Sequence, residues 1–328
     1  MTNRRVLITG INGMDGSHMA DYLLAKGGYD VYGMERLTTS KERSNTKHLE
    51  GKIEFLIGDL TDQSSLTRCL KIAKPDEVYN FAAQSIGGES WRTPELTGNV
   101  TGLGVLRLLN AIKELDMPTK FWQASTSDLF GLSDCSRPNE ETKFRPSNPY
   151  GVAKLFAHEI TRNYRESDGM FNVTGIMFTH ESERRGIQFV TRKISSGVAK
   201  IKLGKADKLS LGALDSKRDW GYAPDYVKVI WKSMQKDVAT DYVIGTGKAH
   251  SVKEFLVGAF NCIGISEWEK YVTYDAGQKR PVQIKVVEAD YTKAKNELGF
   301  NPDEYTTFEN LIKIMVDADI ARIKGGSL

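Results

Sequence analysis

Short apolar runs alternate with amphipathic stretches through the first half of the chain. The apolar runs predict strands over residues 5–9, 30–35, 53–57, 77–82, 120–124 and 172–178. Helical patterns lie between them, over 17–26, 64–72, 100–115 and 149–165. Residues 107–112 carry the i, i+3, i+4 apolar stripe of a helix packed on a sheet. Strands alternating with helices in this way read as βαβ units, so the expected fold is α/β with a doubly wound, parallel Rossmann sheet.

The pattern changes after about residue 180. A long basic amphipathic helix is expected over 189–203, short strands over 208–211 and 242–244, and further helices over 225–235, 251–263 and 307–322. No internal repeat, low-complexity tract or Pro/Gly/Ser linker interrupts this part. The expected organisation is a dinucleotide-binding Rossmann domain over 1–180, with a return segment near 219–247. A smaller C-terminal α/β substrate lobe over 181–328 packs directly on the sheet.

Composition narrows the function classes. A length of 328 residues exceeds what one small core needs. The 45 basic against 42 acidic residues leave a net charge of only +3, which gives no warrant for a nucleic-acid or membrane surface. Residues 1–10 run straight into a strand-like segment without an apolar stretch of signal-peptide length. Cys69, Cys135 and Cys262 are scattered, and the five histidines lack ligand spacing. The expectation is a reduced, cytoplasmic compartment and no metal.

The first βα turn reads Gly10-Ile11-Asn12-Gly13-Met14-Asp15-Gly16. Glycines there allow a tight turn and let backbone N–H groups approach a pyrophosphate at a helix N-terminus. Three glycines alone are a weak signal, but these follow a strand and open a helix. Glu35 at the end of the second strand can accept from adenosine ribose hydroxyls, which favours NAD. The adjacent Arg36 can pair with a 2′-phosphate, which favours NADP. Either is equally a solvated strand-end residue. Asp59, after the third strand, is placed to meet an adenine edge or to cap a helix. Ala82 and Ala83, after the fourth, allow close backbone approach to a dinucleotide or simply pack tightly.

Tyr150 and Lys154 stand at i, i+4 on one helix face. A tyrosine with a reference pKa of about 10 needs help to ionise near neutrality, and a neighbouring ammonium supplies some. An isolated pair of this kind is common on protein surfaces; its place after the fifth strand of a dinucleotide fold points to catalysis. The fifth strand runs out through Thr126, whose hydroxyl can hydrogen-bond a substrate alcohol, to Asp128 at the rim. Asp128 can also be read as a turn acid ahead of Gly131.

These motifs, together with the segments AAQS, QASTSDLFG, FTHESERRG, FVTRKIS and LSLGALDSKRDWG, resemble the extended short-chain dehydrogenase/reductases, and within them the GDP-mannose 4,6-dehydratase branch. The resemblance implies catalytic roles for Thr126, Asp128, Tyr150 and Lys154. It implies cofactor contacts for Gly10, Ile11, Asn12, Gly13, Met14, Asp15, Asp59, Leu60, Phe81, Ala82, Ala83, Gln84, Ser85, Lys154, His180 and Arg185. Thr179, Val190, Lys193, Arg218 and Arg280 would lie near the nucleotide diphosphate of a GDP-sugar, with Ser85 and Thr126 also facing the substrate. The branch's catalytic Glu is Asp128 here, shorter by one methylene. The implied cofactor is NADP, with NAD as the alternative, and the implied assembly a homo-oligomer, dimer or tetramer. Two rivals stay open: another nucleotide-sugar enzyme of this fold, a 4-epimerase or 4-dehydrogenase, and a non-catalytic dinucleotide sensor.

Overall fold

β1 (Arg4–Thr9) carries Val6, Leu7 and Ile8 at zero exposure, as befits an interior strand of a sheet covered on both faces. The computed structural model describes residues 2–38, 43–274 and 288–326. After β1 come α1 (Met14–Lys26), β2 (Tyr29–Glu35), β3 (Glu54–Ile57), α2 (Gln63–Ala73) and β4 (Glu77–Asn80). A short α3 (Pro94–Thr97) passes through a π-helical stretch, Gly98–Leu103, into α4 (Gly104–Glu114). Then follow β5 (Lys120–Ala124), α5 (Pro149–Asp168), β6 (Asn172–Met177) and β7 (His180–Glu181). The remainder comprises α6 (Val190–Lys202), β8 (Leu209–Leu211), β9 (Lys217–Asp219), β10 (Gly221–Tyr222), α7 (Ala223–Met234), β11 (Asp241–Ile244), β12 (Ala249–Ser251), α8 (Val252–Asn261), β13 (Val272–Tyr274), α9 (Thr292–Leu298) and α10 (Phe308–Lys324).

Seven strands pair in the order β11-β6-β5-β4-β1-β2-β3, all parallel. Parallel strands need crossover helices, and these cover both faces. Along β1 the side chains alternate: Val6 and Ile8 pack with Met19, Leu23, Val227 and Ile230 of α1 and α7. Leu7 faces the other way, toward Leu66, Leu70, Leu108 and Ala157 of α2, α4 and α5. This is the doubly wound Rossmann sheet. A separate core joins Ile194 and Val198 of α6 to Phe255 and Leu256 of α8 and Met315 of α10. Between these cores the chain comes back to the sheet, where β11 pairs with β6 and α7 packs on α1.

Two departures from the expected elements have local causes. The strand expected over 77–82 stops at Asn80, because the Ala82 N–H donates to Thr9 Oγ1 at 3.2 Å instead of continuing the ladder. The helix expected to start at 100 starts at Pro94, and in its π-helical stretch the Asn99 carbonyl is taken up by Arg107. The Arg107 guanidinium donates to the Asn99 carbonyl at 3.1 Å and to Asn99 Oδ1 at 2.7 Å.

Candidate active site

Gly10 adopts φ +68°, and a Cβ there would lie 2.8 Å from the Ala82 nitrogen. Only glycine satisfies both the left-handed backbone and that approach. The Gly13 N–H donates back to the Gly10 carbonyl at 2.9 Å, which closes the turn and aims the start of α1 outward. Gly13 caps α1 without any side-chain hydrogen bond. Ile11 and Met14 are buried while Asn12 and Asp15 are half-buried, so the turn offers backbone and two polar side chains. A cradle this tight, opening at a helix N-terminus, fits a dinucleotide pyrophosphate.

At the end of β2, Glu35 Oε2 accepts from Asn12 Nδ2 at 2.8 Å and from Arg43 Nε at 3.1 Å, and its other oxygen pairs with the Arg43 terminal nitrogen. Burial works against the Glu35 charge, but Arg43 and Asn12 outweigh it and hold the carboxyl below its ordinary value. Arg36 is exposed and lies outside that arrangement. Asp59 is not a helix cap: it accepts from the Thr61 N–H at 2.8 Å and hydroxyl at 2.7 Å, while Asp62 caps α2. Leu60 is buried. Phe81 packs on Trp122 at 5.2 Å, Ala82 and Ala83 are half-buried, the Gln84 N–H donates to Thr101 Oγ1, and Ser85 is exposed.

Below this edge a polar chain crosses three strands: Thr9 Oγ1 to Asn80 Oδ1 at 2.5 Å, then Asn80 Nδ2 to Gln123 Oε1 at 2.7 Å. The fifth strand then leaves the sheet through Thr126, whose Oγ1 accepts from the Asp128 N–H at 3.2 Å. Asn148 ties this turn to the next helix. Its Oδ1 caps α5 by accepting from the Gly151 N–H at 2.7 Å, and its Nδ2 donates to Asp128 Oδ2 at 3.3 Å. Pro149 in the first helical position suits that start.

One turn into α5, Lys154 is buried and its ammonium donates to the Ala124 carbonyl at 2.7 Å. Burial pushes its pKa down to about 8, against Asp15, which favours the charge. The ammonium lies 5.8 Å from the Tyr150 ring centre. Burial and then Asp128 push the Tyr150 phenol up, while a hydrogen bond with Thr126 and the charge of Arg185 pull it down.

The wall facing α5 comes from the β7 segment. His180 Nδ1 donates to the Phe178 carbonyl at 2.8 Å and its Nε2 to Asp15 Oδ1 at 2.9 Å. An imidazole that donates from both nitrogens is an imidazolium. Burial disfavours each charge, yet the pair prevails: the His180 pKa is raised and that of Asp15 lowered. Arg185 pairs with buried Glu181 at 3.0 Å and stacks on Phe189. Burial raises the Glu181 carboxyl, opposed by Arg185. Behind this wall Arg192 grips Asp319 of α10 at 2.8 and 2.9 Å and donates to the carbonyls of Glu183 and Arg185 at 3.0 and 2.7 Å.

Asp15, Thr126, Asp128, Tyr150, Lys154, His180 and Arg185 are thus linked by contacts or charge coupling. The other expected residues are placed as follows: the Thr179 carbonyl accepts from the Gly221 N–H, Val190 opens α6, Lys193 is half-buried, and Arg218 of β9 sits opposite His250 of β12. Arg280 lies outside the described residues. Asn148, Arg43, Glu181, Arg192 and Asp319 escaped the sequence reading. Asn148 could have been found as a cap before Pro149, and Asp319 as an acid on the apolar stripe of α10.

A family model described as GDP-mannose 4,6 dehydratase matches residues 7–315. The human protein of that name is 43% identical over 340 residues, covering 96% of this chain and 91% of its own length. Among solved structures, UDP-glucose 4-epimerase from Thermus thermophilus in complex with NAD superposes with a TM-score of 0.83 at 25% identity, covering 96% of this chain and 98% of that one. dTDP-glucose 4,6-dehydratase from Bacillus anthracis in complex with NAD has the same TM-score at 23% identity, covering 99% and 98%, and shares the fold.

Proposed function

This chain belongs to the GDP-mannose 4,6 dehydratase family, and we infer on that footing that it is an NAD(P)-dependent lyase converting GDP-mannose to GDP-4-keto-6-deoxymannose. The observation that carries the reading is the tethering of a carboxylate, Asp128, to the helix that bears Tyr150 and Lys154. Oxidation at C4 requires the Tyr–Lys pair; loss of water across C5 and C6 requires a base as well.

Gly10, Ile11, Asn12, Gly13, Met14 and Asp15 would hold the dinucleotide, whose nicotinamide supplies a hydride acceptor and donor when bound. Tyr150 takes the C4 hydroxyl proton, with Thr126 hydrogen-bonded to its phenol and the Lys154 ammonium close by. The depressed Lys154 pKa means this ammonium loses its charge above pH about 8. Asp128 takes the C5 proton, which a C4 ketone acidifies, while the C6 hydroxyl leaves as water with the proton that Tyr150 took; the hydride drawn from C4 would then return to C6 and the Asp128 proton to C5. Thr179, Val190, Lys193, Arg218 and Arg280, with Ser85, are the residues proposed for the GDP-sugar, the arginines as guanidinium forks for the diphosphate. NADP is the proposed cofactor, with NAD as the alternative.

A homo-oligomer is proposed as well. Leu96, Leu103, Val152 and Phe156 are 41–56% exposed along the adjoining α3–α4 segment and α5, an apolar face suited to a second copy. The proposed compartment is the cytoplasm, consistent with three free cysteines. No helix among the described residues is long and apolar enough to cross a membrane.

Asp128→Asn tests the reading. Incubated with GDP-mannose, this variant is expected to reduce its bound cofactor while water loss and C5 deuterium exchange from solvent stop. Dehydration at the wild-type rate would remove Asp128 as the base. A wild type that exchanges no C5 hydrogen with any NDP-hexose would leave an epimerase or dehydrogenase.

A further inference from the structure

The adenosine end of the cradle contains a guanidinium that none of these roles uses. Arg43 reaches Glu35 from the segment after β2, with two of its nitrogens on the two carboxylate oxygens. Its guanidinium carbon also lies 3.9 Å from the centre of the Phe55 ring on β3. The same segment is fastened to the glycine turn. Asn45 Nδ2 donates to the Asn12 carbonyl at 3.2 Å and to the Arg184 carbonyl at 3.1 Å, and Thr46 Oγ1 donates to Asn12 Oδ1 at 2.5 Å. Arg43 is therefore held at the position where a strand-end acid meets an adenosine ribose.

We propose that Arg43 reads the 2′ position of the dinucleotide's adenosine, staying on Glu35 when that position carries a hydroxyl and transferring to the phosphate when it carries one. The proposal rests on reading the glycine turn as a nicotinamide-dinucleotide site. With NAD, Glu35 accepts from the ribose hydroxyls while Arg43 keeps it oriented and partly neutralised. With NADP, a phosphate dianion beside the Glu35 carboxylate is repelled unless a cation intervenes. A guanidinium fork suits phosphate as well as carboxylate, so Arg43 can exchange one for the other while its face stays on Phe55. NADP binding then breaks one ion pair to form another, and the discrimination between the two cofactors is shallow. Arg36, next to Glu35 in sequence but exposed, takes no part.

The experiment titrates the full chain with NAD and with NADP by isothermal calorimetry, in the wild type, Arg43→Ala, Arg43→Lys, Glu35→Gln and Arg36→Ala. Arg43→Ala is expected to weaken NADP binding tenfold or more and to leave NAD within threefold, and the retained NAD affinity shows that the cradle is folded. Arg43→Lys, with charge but no fork, should fall between. Glu35→Gln should strengthen NADP severalfold, and Arg36→Ala should change neither cofactor beyond threefold. Equal losses for both cofactors in Arg43→Ala would make the residue a structural clasp and overturn the proposal, as would an NADP loss carried by Arg36→Ala. A wild type that binds neither dinucleotide would overturn the cofactor reading itself, and this assignment with it.

Discussion

The two walls of the site are built from different materials. On the sheet side the main chain does most of the positioning: a left-handed Gly10, a glycine cap on α1, a backbone carbonyl under Lys154 and an Asn cap on α5. On the side of the β7–α6 segment the positioning is ionic: Asp15 with His180, Glu181 with Arg185, and Arg192 with Asp319. Backbone geometry is local and is dictated by a few residues in a row. Of these pairs, Arg192 with Asp319 is the most deeply buried and joins distant elements, and such a pair fails badly when one partner is removed.

The largest effect should therefore come from the ionic wall. Asp319→Ala leaves Arg192 buried without its counter-ion and should lower stability by about 3–5 kcal/mol in denaturant titrations. Replacing both partners, as Arg192→Met with Asp319→Leu, should recover most of that loss. It should not recover affinity for GDP-mannose, because the carbonyls of Glu183 and Arg185 lose their donor. Full recovery of both would mean that the charges shape nothing beyond the core. On the main-chain wall, Gly10→Ala forces a side chain into left-handed backbone against Ala82, a strain of about 1–3 kcal/mol. Retained dinucleotide, released by acid and quantified by absorbance, should fall more than tenfold. If it does not, the cradle is less exacting than its geometry implies.

The smallest effect concerns the pair that joins the walls. The folded pKa of His180 lies above its ordinary 6.5, so its contribution is complete below pH 6.5 and is lost as pH rises through the raised value. That of Asp15 lies below its ordinary 3.8, so its contribution is complete above pH 3.8 and is lost as pH falls. The difference in melting temperature between the wild type and His180→Gln should be greatest between those limits and shrink above pH 6.5. A difference that stays constant to pH 9 would mean His180 acts through packing on Tyr226 rather than through charge.

The same division explains what the sequence made legible. β5 occupies the residues expected for it, and β1, β2, β6 and α5 fall within a few residues of the expected bounds, because period and turn chemistry act over short spans. The motifs around residues 180–186 and 189–195 resemble the family that the comparisons independently match. Glu35 is recognisable in the sequence as a strand-end acid and Arg36 as a cation beside it, but the spacing gives no sign that Arg43, eight residues on, pairs with Glu35. Nothing in the spacing of Arg192 and Asp319 announces that they meet; only the packing of α6 against α10 brings them together.

The grip of Arg192 on the carbonyls of Glu183 and Arg185 also sets a schedule for biosynthesis. Once α7 has left the ribosome, the glycine turn, β5 and α5 can condense as a Rossmann unit, since α7 supplies Val227 and Ile230 to the face of β1 that carries Val6 and Ile8. The loop that presents Arg185 gives two of its carbonyls to Arg192, and Arg192 finds its counter-ion only once Asp319 has been translated and α10 has docked. Contacts between such distant residues form late because closing the intervening chain is entropically slow. A nascent chain is thus expected to acquire its dinucleotide cradle well before it can order the wall opposite. Competence for the sugar would arrive with the final helix.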